Sequence, residues 1–384
     1  MMKLFPLDEQ TCARLAREHG TPLFAYSAEA ASENFRRLQT ALPPRVKIAY
    51  AVKANPHPEL LRLFASLGAG FDCASEGELK RVAQLDRKGL KILFAGPGKR
   101  RAEISLALSL GARLNAESWE DLVHVNELAT ELTKANIRVH PRFGSEEGGR
   151  IIGGSGASAF GVDEEDLSEF LVKTRALPRV QIAGLHVFIA SNQRNSAKLL
   201  GIYEMVFELA KKMHSESNVP LDLIDLGGGL GVPYSETEPE LDITALGQGL
   251  TRLLDNHAWF TGEVLIEPGR YLAASCGVYL VRLVRIKESR GEKFAILEGG
   301  INHLLRPVLT DQAFPVKVIG RSGAIQEVTL AGPLCTSLDR LGKVMLPTVH
   351  PGDLLAFGMA GAYGFTEGMT HFLSHPVPPE IWEA

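Results

Sequence analysis

A lysine closes the otherwise apolar run KIAYAVK at Lys53. An amine that tips a buried strand is costly to desolvate unless something uses it. Desolvation also lowers its pKa toward neutrality, which makes it a nucleophile able to condense with a carbonyl. The competing reading is a rim lysine whose head snorkels to water. Further along, Gly227, Gly228 and Gly229, then Gly231, punctuate DLGGGLGVPY, and Glu267-Pro268-Gly269-Arg270 closes VLIEPGR. Glycine turns let backbone N–H groups approach an anion, and Gly269 and Arg270 add another close approach and a cation, so both segments suit a phosphate. A carboxylate beside a phosphate is repelled unless it faces a cation. Glu267 therefore either pairs with Arg270 or holds the proton of a pyridine nitrogen, which makes such a ring a strong electron sink. His186 is either a core histidine or a side chain stacked on that ring.

These residues close a recurring series of short apolar runs. KIAYAVK, GFDCAS, ILFAG, ARLNAE, IRVHPRF, IAGLHVFI, LDLIDLGGG and VLIEPGR end at Lys53, Ser75, Gly96, Glu117, Phe143, Ile189, Gly229 and Arg270. Between them lie stretches with helical apolar spacing, such as Leu60, Leu61, Phe64 and Leu67, or Leu200, Tyr203, Val206, Phe207 and Leu209. Eight apolar strands alternating with helices point to a closed parallel (β/α)8 barrel, whose functional groups gather at the carboxyl ends of its strands. An open doubly wound sheet shares the alternation; the count of eight and the loops after the last two strands favour the barrel.

After Arg270 the pattern changes to YLVRLVRIKES, KFAILEGG, FPVKVIG, EVTLAG and DLLAFGM, strand-like runs separated by turns. The expected organisation is a barrel over residues 28–270 and a β-rich sandwich or Greek-key domain from residues 1–27 and 271–384. A short helix over Cys12–His19 and the run TPLFAYS would belong to the second domain. The glycine-rich segment from Gly144 to Gly161 is expected to be a mobile loop at the barrel mouth.

Composition narrows the function classes. The 384 residues are 45% hydrophobic and 22% charged, and 41 basic against 45 acidic residues give a net charge of -4. No dense basic run recruits nucleic acid or an anionic membrane, and no apolar run reaches the roughly 18 residues of a membrane span. A cytoplasmic enzyme is expected. The four cysteines, Cys12, Cys73, Cys276 and Cys335, are widely separated and form no CxxC pair, which argues against a disulfide framework or a structural zinc.

The combined pattern resembles the fold-type III pyridoxal phosphate (PLP) dependent decarboxylases, the group that contains diaminopimelate, ornithine and arginine decarboxylases. The resemblance runs nearly end to end. Ala51-Val52-Lys53-Ala54-Asn55 looks like the strand that binds the cofactor covalently, FDCASEGEL with Asp72 like the second-strand motif, and Gly184-Leu185-His186 like the ring-stacking histidine. Ser191, Gly228, Gly229, Gly269 and Arg270 match the phosphate contacts, Glu267 the pyridine-nitrogen partner, and Tyr363 in AGAYG a cofactor-contacting tyrosine. Cys335 in GPLC resembles the cysteine that protonates the product carbanion from the partner subunit, although a buried thiol remains the alternative. The resemblance implies an alanine-racemase-like TIM barrel with a C-terminal β domain, bound PLP, and a homodimer with two composite sites.

Departures bear on the substrate. Thr336 stands where diaminopimelate decarboxylases carry the glutamate that holds the distal ammonium, and a hydroxyl cannot pair a buried ammonium. Arg306 matches a substrate-carboxylate arginine of that subgroup, but Thr310 replaces the tyrosine expected four residues later. Phe188 and Ala190 alter the usual strand-six tail, His140 replaces an asparagine, and Ala159 replaces a lysine. GPLCT together with the C-terminal Phe372-Leu373-Ser374-His375-Pro376 is similar to a biosynthetic subgroup acting on conjugated amino acids: citryl-diaminopropionate in siderophore assembly, or glutamyl groups on a carrier protein. Free basic amino acids remain an alternative. A racemase would carry arginine at Glu267, and a non-catalytic PLP-binding regulator should have lost Lys53 or Cys335.

Overall fold

The computed structural model describes residues 2–87, 89–143, 156–189 and 191–384. Most of the glycine-rich segment expected to be mobile, and Ala190 of the strand-six tail, lie outside the described residues. By its contacts the chain divides into two units, Phe35–Gly231 with Leu241–Gly269, and Met1–Asn34 with Val232–Glu240 and Arg270–Ala384.

In chain order the strands begin with β1 (Leu23–Ser27), β2 (Val46–Ala51), β3 (Gly70–Cys73), β4 (Ile92–Phe94), β5 (Arg113–Ala116) and β6 (Thr133–His140). They continue with β7 (Val162–Asp163), β8 (Val180–His186), β9 (Leu223–Asp225) and β10 (Glu263–Ile266). Strands β2 to β6 and β8 to β10 pair in the order β5-β4-β3-β2-β10-β9-β8-β6, and a β5–β6 pairing closes the ring, with β7 added at the edge of β6. All of these pairings are parallel, as in a TIM barrel. The eight strands are the eight expected, but several are shorter than their apolar runs. Lys53 falls beyond β2, in a 3-10 turn over Val52–Ala54.

Polar caps mark where four of the helices that follow the barrel strands begin. Ser75 and Ser118 cap the helices Glu76–Ala83 and Trp119–Leu128 by accepting from the N–H groups of Glu78 and Asp121. Asn195 and Asp242 cap Ser196–Ser217 and Ile243–Asn256 in the same way. Each such cap is worth about 1 kcal/mol. Inside the barrel, Ala49, Leu93, Leu223 and Leu265 form an apolar cluster. Toward β5 and β6 the filling is polar: Asn136 donates to Asn115 at 2.7 Å, and a Cβ on Gly184 would lie 2.0 Å from Asn136 Oδ1.

In the other unit the strands are β11 (Gly277–Ser289), β12 (Glu292–Leu297), β13 (Val316–Val318), β14 (Ile325–Ala331), β15 (Arg340–Pro347), β16 (Leu354–Phe357) and β17 (Glu380–Glu383). The long β11 changes partners along its length, pairing with β1 and β16 before Leu283 and with β12 beyond a bulge there. β14 runs parallel to β12 and antiparallel to β15, giving a mixed sheet. The first helix starts at Glu9, three residues before the expected Cys12, because the Asp8 side chain accepts from Thr11 N at 2.7 Å and caps it. It packs Cys12 and Leu15 on Leu23, Ala25, Val278 and Leu280. Among the described residues no helix is long and apolar enough to cross a membrane.

Candidate active site

Register brings the barrel's chemical residues together. Ala51 of β2 pairs with Asp72 of β3, so the turn holding Lys53 lies beside Asp72. His186 of β8 pairs with Asp225 of β9, which pairs with Leu265 of β10, two residues before Glu267. Lys53 Nζ lies 3.7 Å from Asp72 Oδ2 and 5.3 Å from the centre of the Phe188 ring. The lysine side chain is 42% exposed while Asp72 is 2% exposed, so it is the carboxylate that is desolvated, and of the two readings of Lys53 its exposure matches the rim lysine whose head reaches water. Burial, reinforced by the nearby Glu267 charge, pushes the Asp72 carboxyl up to about 7.

His186 Nε2 lies 3.3 Å from Glu267 Oε2, both side chains almost fully buried. Burial works to raise the Glu267 carboxyl, but His186, Lys53 and a hydrogen bond from Asp225 overcome it and hold it at about 2. Asp225, equally buried, is pushed well above the carboxylate range, first by desolvation and then by the Glu267 charge. Of the two acids, Asp225 is therefore the one favoured to hold a proton and Glu267 the one favoured to stay ionised. Sequence reasoning gave Asp225 no role, although a carboxylate ending an apolar strand directly before a glycine run was the available signal.

The glycines are required by close approaches. Gly227 has φ +67°, and a Cβ there would lie 2.7 Å from Val187 O. A Cβ on Gly228 would lie 2.6 Å from the carbonyl of Glu267, so the glycine turn is seated against the backbone of the acid. Gly229 also has positive φ, +96°. Its carbonyl accepts from Gln193 N at 2.8 Å, and Gly231 N returns a bond to Gln193 O at 2.9 Å, zipping the loop after β8 to the glycine turn. Ser191, expected near a phosphate, is exposed in that loop. A Cβ on Gly269 would meet Ala54 Cβ at 2.9 Å, which lets the loop after β10 approach the Lys53 turn.

The remaining predicted residues lie in the other unit and form a cluster of their own. Arg270, 8% exposed, donates to the Tyr234 hydroxyl at 2.7 Å, and its guanidinium lies 4.9 Å from the centre of the Tyr363 ring. Arg306 lies 4.3 Å from the same ring. Tyr363 is held at φ +59°, a conformation that costs a tyrosine energy and that the two guanidinium contacts help to offset. Arg306 is already engaged: its Nη1 donates to both oxygens of Glu367, at 2.7 and 2.8 Å. Tyr234 carried no sequence signal beyond its motif, and Glu367 carried none. Thr310 Oγ1 is turned onto Arg306 O at 2.9 Å. Cys335 is exposed, whereas Cys12, Cys73 and Cys276 are buried, and Thr336 Oγ1 accepts from Leu338 N.

The barrel residues fit pyridoxal phosphate on their own chemistry. Among the described residues, Glu267 Oε1, Asp72 Oδ1 and His186 Nδ1 are buried with no hydrogen-bond partner, an expensive arrangement that a cationic heteroaromatic ring relieves. Three buried acids around one lysine and one histidine likewise favour a positive group. His186, Asp225 and Glu267 also converge closely enough to hold a metal ion, but an ionised acid hydrogen-bonded by a protonated one suits a proton-bearing ring nitrogen better.

Residues 29–274 match the family model described as "Pyridoxal-dependent decarboxylase, pyridoxal binding domain". The chain is 32% identical to the L-glutamyl-[BtrI acyl-carrier protein] decarboxylase of Niallia circulans, covering 98% of this chain and 91% of that protein. It is 34% identical to the diaminopimelate decarboxylase of Neisseria meningitidis serogroup A, over 91% of this chain and 87% of that one. Among solved structures, diaminopimelate decarboxylase from Helicobacter pylori complexed with L-lysine superposes with a TM-score of 0.89 at 28% identity, covering 97% of this chain and 94% of that one. With the barrel, the β domain and a pyridoxal-binding segment all matched, the chain belongs to the pyridoxal-dependent decarboxylases and is a PLP-dependent carboxy-lyase.

Proposed function

We propose that the substrate is an amino acid held as a conjugate, with a glutamyl group on a carrier protein as the best fit. The observation that carries this reading is the Arg306–Glu367 pair. A free diamino diacid needs a guanidinium for its distal carboxylate and an anion for its distal ammonium. Here Glu367 takes the guanidinium and Thr336 offers only a hydroxyl. A glutamyl group that loses its α-carboxylate must be joined to its carrier through the side-chain carboxyl, so its far end is neutral and asks for neither charge. A citrate conjugate, as in siderophore assembly, is polyanionic and gains nothing from a neutralised arginine.

When bound, pyridoxal phosphate supplies the electron sink for the electrons left by departing carbon dioxide. Lys53 attaches the cofactor, and the Gly227–Gly231 turn with its partner loop at Gln193 receives the phosphate. Glu267, whose carboxyl His186 and Asp225 lower, would hold a protonated ring nitrogen, and His186 would pack against such a ring. Cys335 returns a proton to the substrate α-carbon, reaching the site of a partner subunit in a homodimer. Its exposure in the single chain agrees with that role. The test is carbon dioxide release by the PLP-loaded enzyme from glutamyl-carrier protein, citryl-diaminopropionate, meso-diaminopimelate and free amino acids. Turnover of the carrier conjugate at least 100-fold above diaminopimelate is expected; efficient lysine formation would overturn the reading.

A further inference from the structure

We propose that Asp339 is a positioning residue that sets the geometry of the loop carrying Cys335, a step that rests on the assignment of Cys335 as proton donor. Asp339 is 3% exposed, and among the described residues no Lys, Arg or His lies within ion-pair distance of it. Its carboxylate is held by two backbone donors from different segments. Oδ1 accepts from Ile301 N at 2.8 Å, and Oδ2 accepts from Leu334 N, the residue before Cys335, also at 2.8 Å. The Asp339 carbonyl accepts from Gly332 N at 3.1 Å and its own N–H donates to Thr336 O at 3.3 Å. Asp339 therefore bonds the segment from Leu334 to Leu338 at the Leu334 N–H and at the Thr336 carbonyl, and bonds Gly332 just before it.

Two glycines are shaped around this carboxylate. A Cβ on Gly300 would lie 2.0 Å from Oδ1, and one on Gly332 would lie 2.3 Å from Oδ2. Burying an unpaired carboxylate is costly compared with a neutral side chain. A side chain that only filled this space could be apolar, and one that bonded a single N–H could be an amide. Only a carboxylate offers two acceptors to two facing N–H groups; asparagine would turn its own N–H2 against one of them. The cost is met where it fixes the backbone immediately before the thiol, and an exposed cysteine on a flexible loop would otherwise sample many positions relative to the carbon it must protonate.

The test uses the PLP-loaded full-length enzyme and iodoacetamide as probe, with the labelled peptide identified by mass; Cys12, Cys73 and Cys276 are buried and do not compete. Asp339→Asn is expected to change the Cys335 labelling rate at least 3-fold while the visible cofactor band is unchanged. Gly332→Ala, which displaces the carboxylate without removing it, is expected to act the same way and carries the test if Asp339→Asn does not fold. Labelling within 2-fold of wild type in the folded variant overturns the proposal. With glutamyl-carrier protein, Asp339→Asn is expected to lower kcat at least 10-fold with KM unchanged, and to add nothing in a Cys335→Ala background. Additive losses overturn positioning through Cys335. Full activity of Cys335→Ala alone instead sinks the donor assignment beneath it, and the proposal with it, while the labelling rate still reports whether Asp339 shapes the loop.

Discussion

Both carboxylate oxygens of Glu367 sit on a single guanidinium nitrogen of Arg306, 61 residues earlier in the chain, at 2.7 and 2.8 Å. The arginine is 5% exposed, so the carboxylate supplies the counter-charge that burial demands. Replacing Glu367 by glutamine keeps the shape and removes that charge, at a stability cost of about 1.5–3 kcal/mol for a charged hydrogen bond. Glu367→Gln is expected to raise kcat/KM for diaminopimelate at least 10-fold over a very low wild-type value, because a distal carboxylate can then reach Arg306. Lysine formation followed by chromatography checks it; an unchanged rate would show that Arg306 does not select the substrate.

Lys53 attaches the cofactor in the proposed cycle, so protein reconstituted with PLP is expected to be yellow. Lys53→Ala should lose the visible band and decarboxylase activity together. An absorption spectrum decides this before any substrate is known.

Cys335→Ala is expected to lower amine formation by roughly 10- to 1000-fold, the scale of one general acid, with cofactor content unchanged. Amine product and bound PLP are measured on the same sample. Unaltered turnover would mean that the proton comes from elsewhere.

The Asp72 carboxyl, pushed up to about 7 by burial and the Glu267 charge, gives a dependence opposite to the usual one for acids. In the unfolded chain it loses its proton near its ordinary value of 3.8, whereas in the folded, cofactor-free chain it keeps it up to about 7. Between those values the folded state binds more protons, so its contribution to stability falls as pH rises from about 4 to about 7 and is flat above. Asp72→Asn removes this titration. The Tm of the cofactor-free variant is expected to drop less than wild type between pH 5 and pH 8, and thermal melts at the two pH values measure it.

Elements defined by local periodicity were legible from the sequence. The eight barrel strands, the β-rich remainder, Lys53 at the end of the first barrel strand and Glu267 at the end of the last all follow from apolar runs and turn residues. What escaped depends on partners far apart in the chain. Asp225 acquires its role only through the register that sets it beside His186 and the hydrogen bond it gives Glu267. Glu367 looks like any loop acid until Arg306 is found beneath it. Gly300 and Gly332 look like ordinary turn glycines until the Asp339 carboxylate is seen in the space their side chains would fill. The choice between the two readings of Lys53 was not legible for a related reason: a run of apolar residues does not reveal that its last two positions have left the strand.

Lys53, Asp72, His186, Asp225, Glu267 and the glycine turn all belong to one unit, and Arg306, Cys335, Asp339, Tyr363 and Glu367 all belong to the other. Mutations at Arg306 and Glu367 can accumulate without touching Lys53, Asp72, His186, Asp225 or Glu267. A lineage can therefore exchange one amino-acid substrate for another while its cofactor chemistry stays under unbroken selection. Relatives named for diaminopimelate and for a carrier-bound glutamyl group, at nearly equal distance from this chain, are the record such drift would leave.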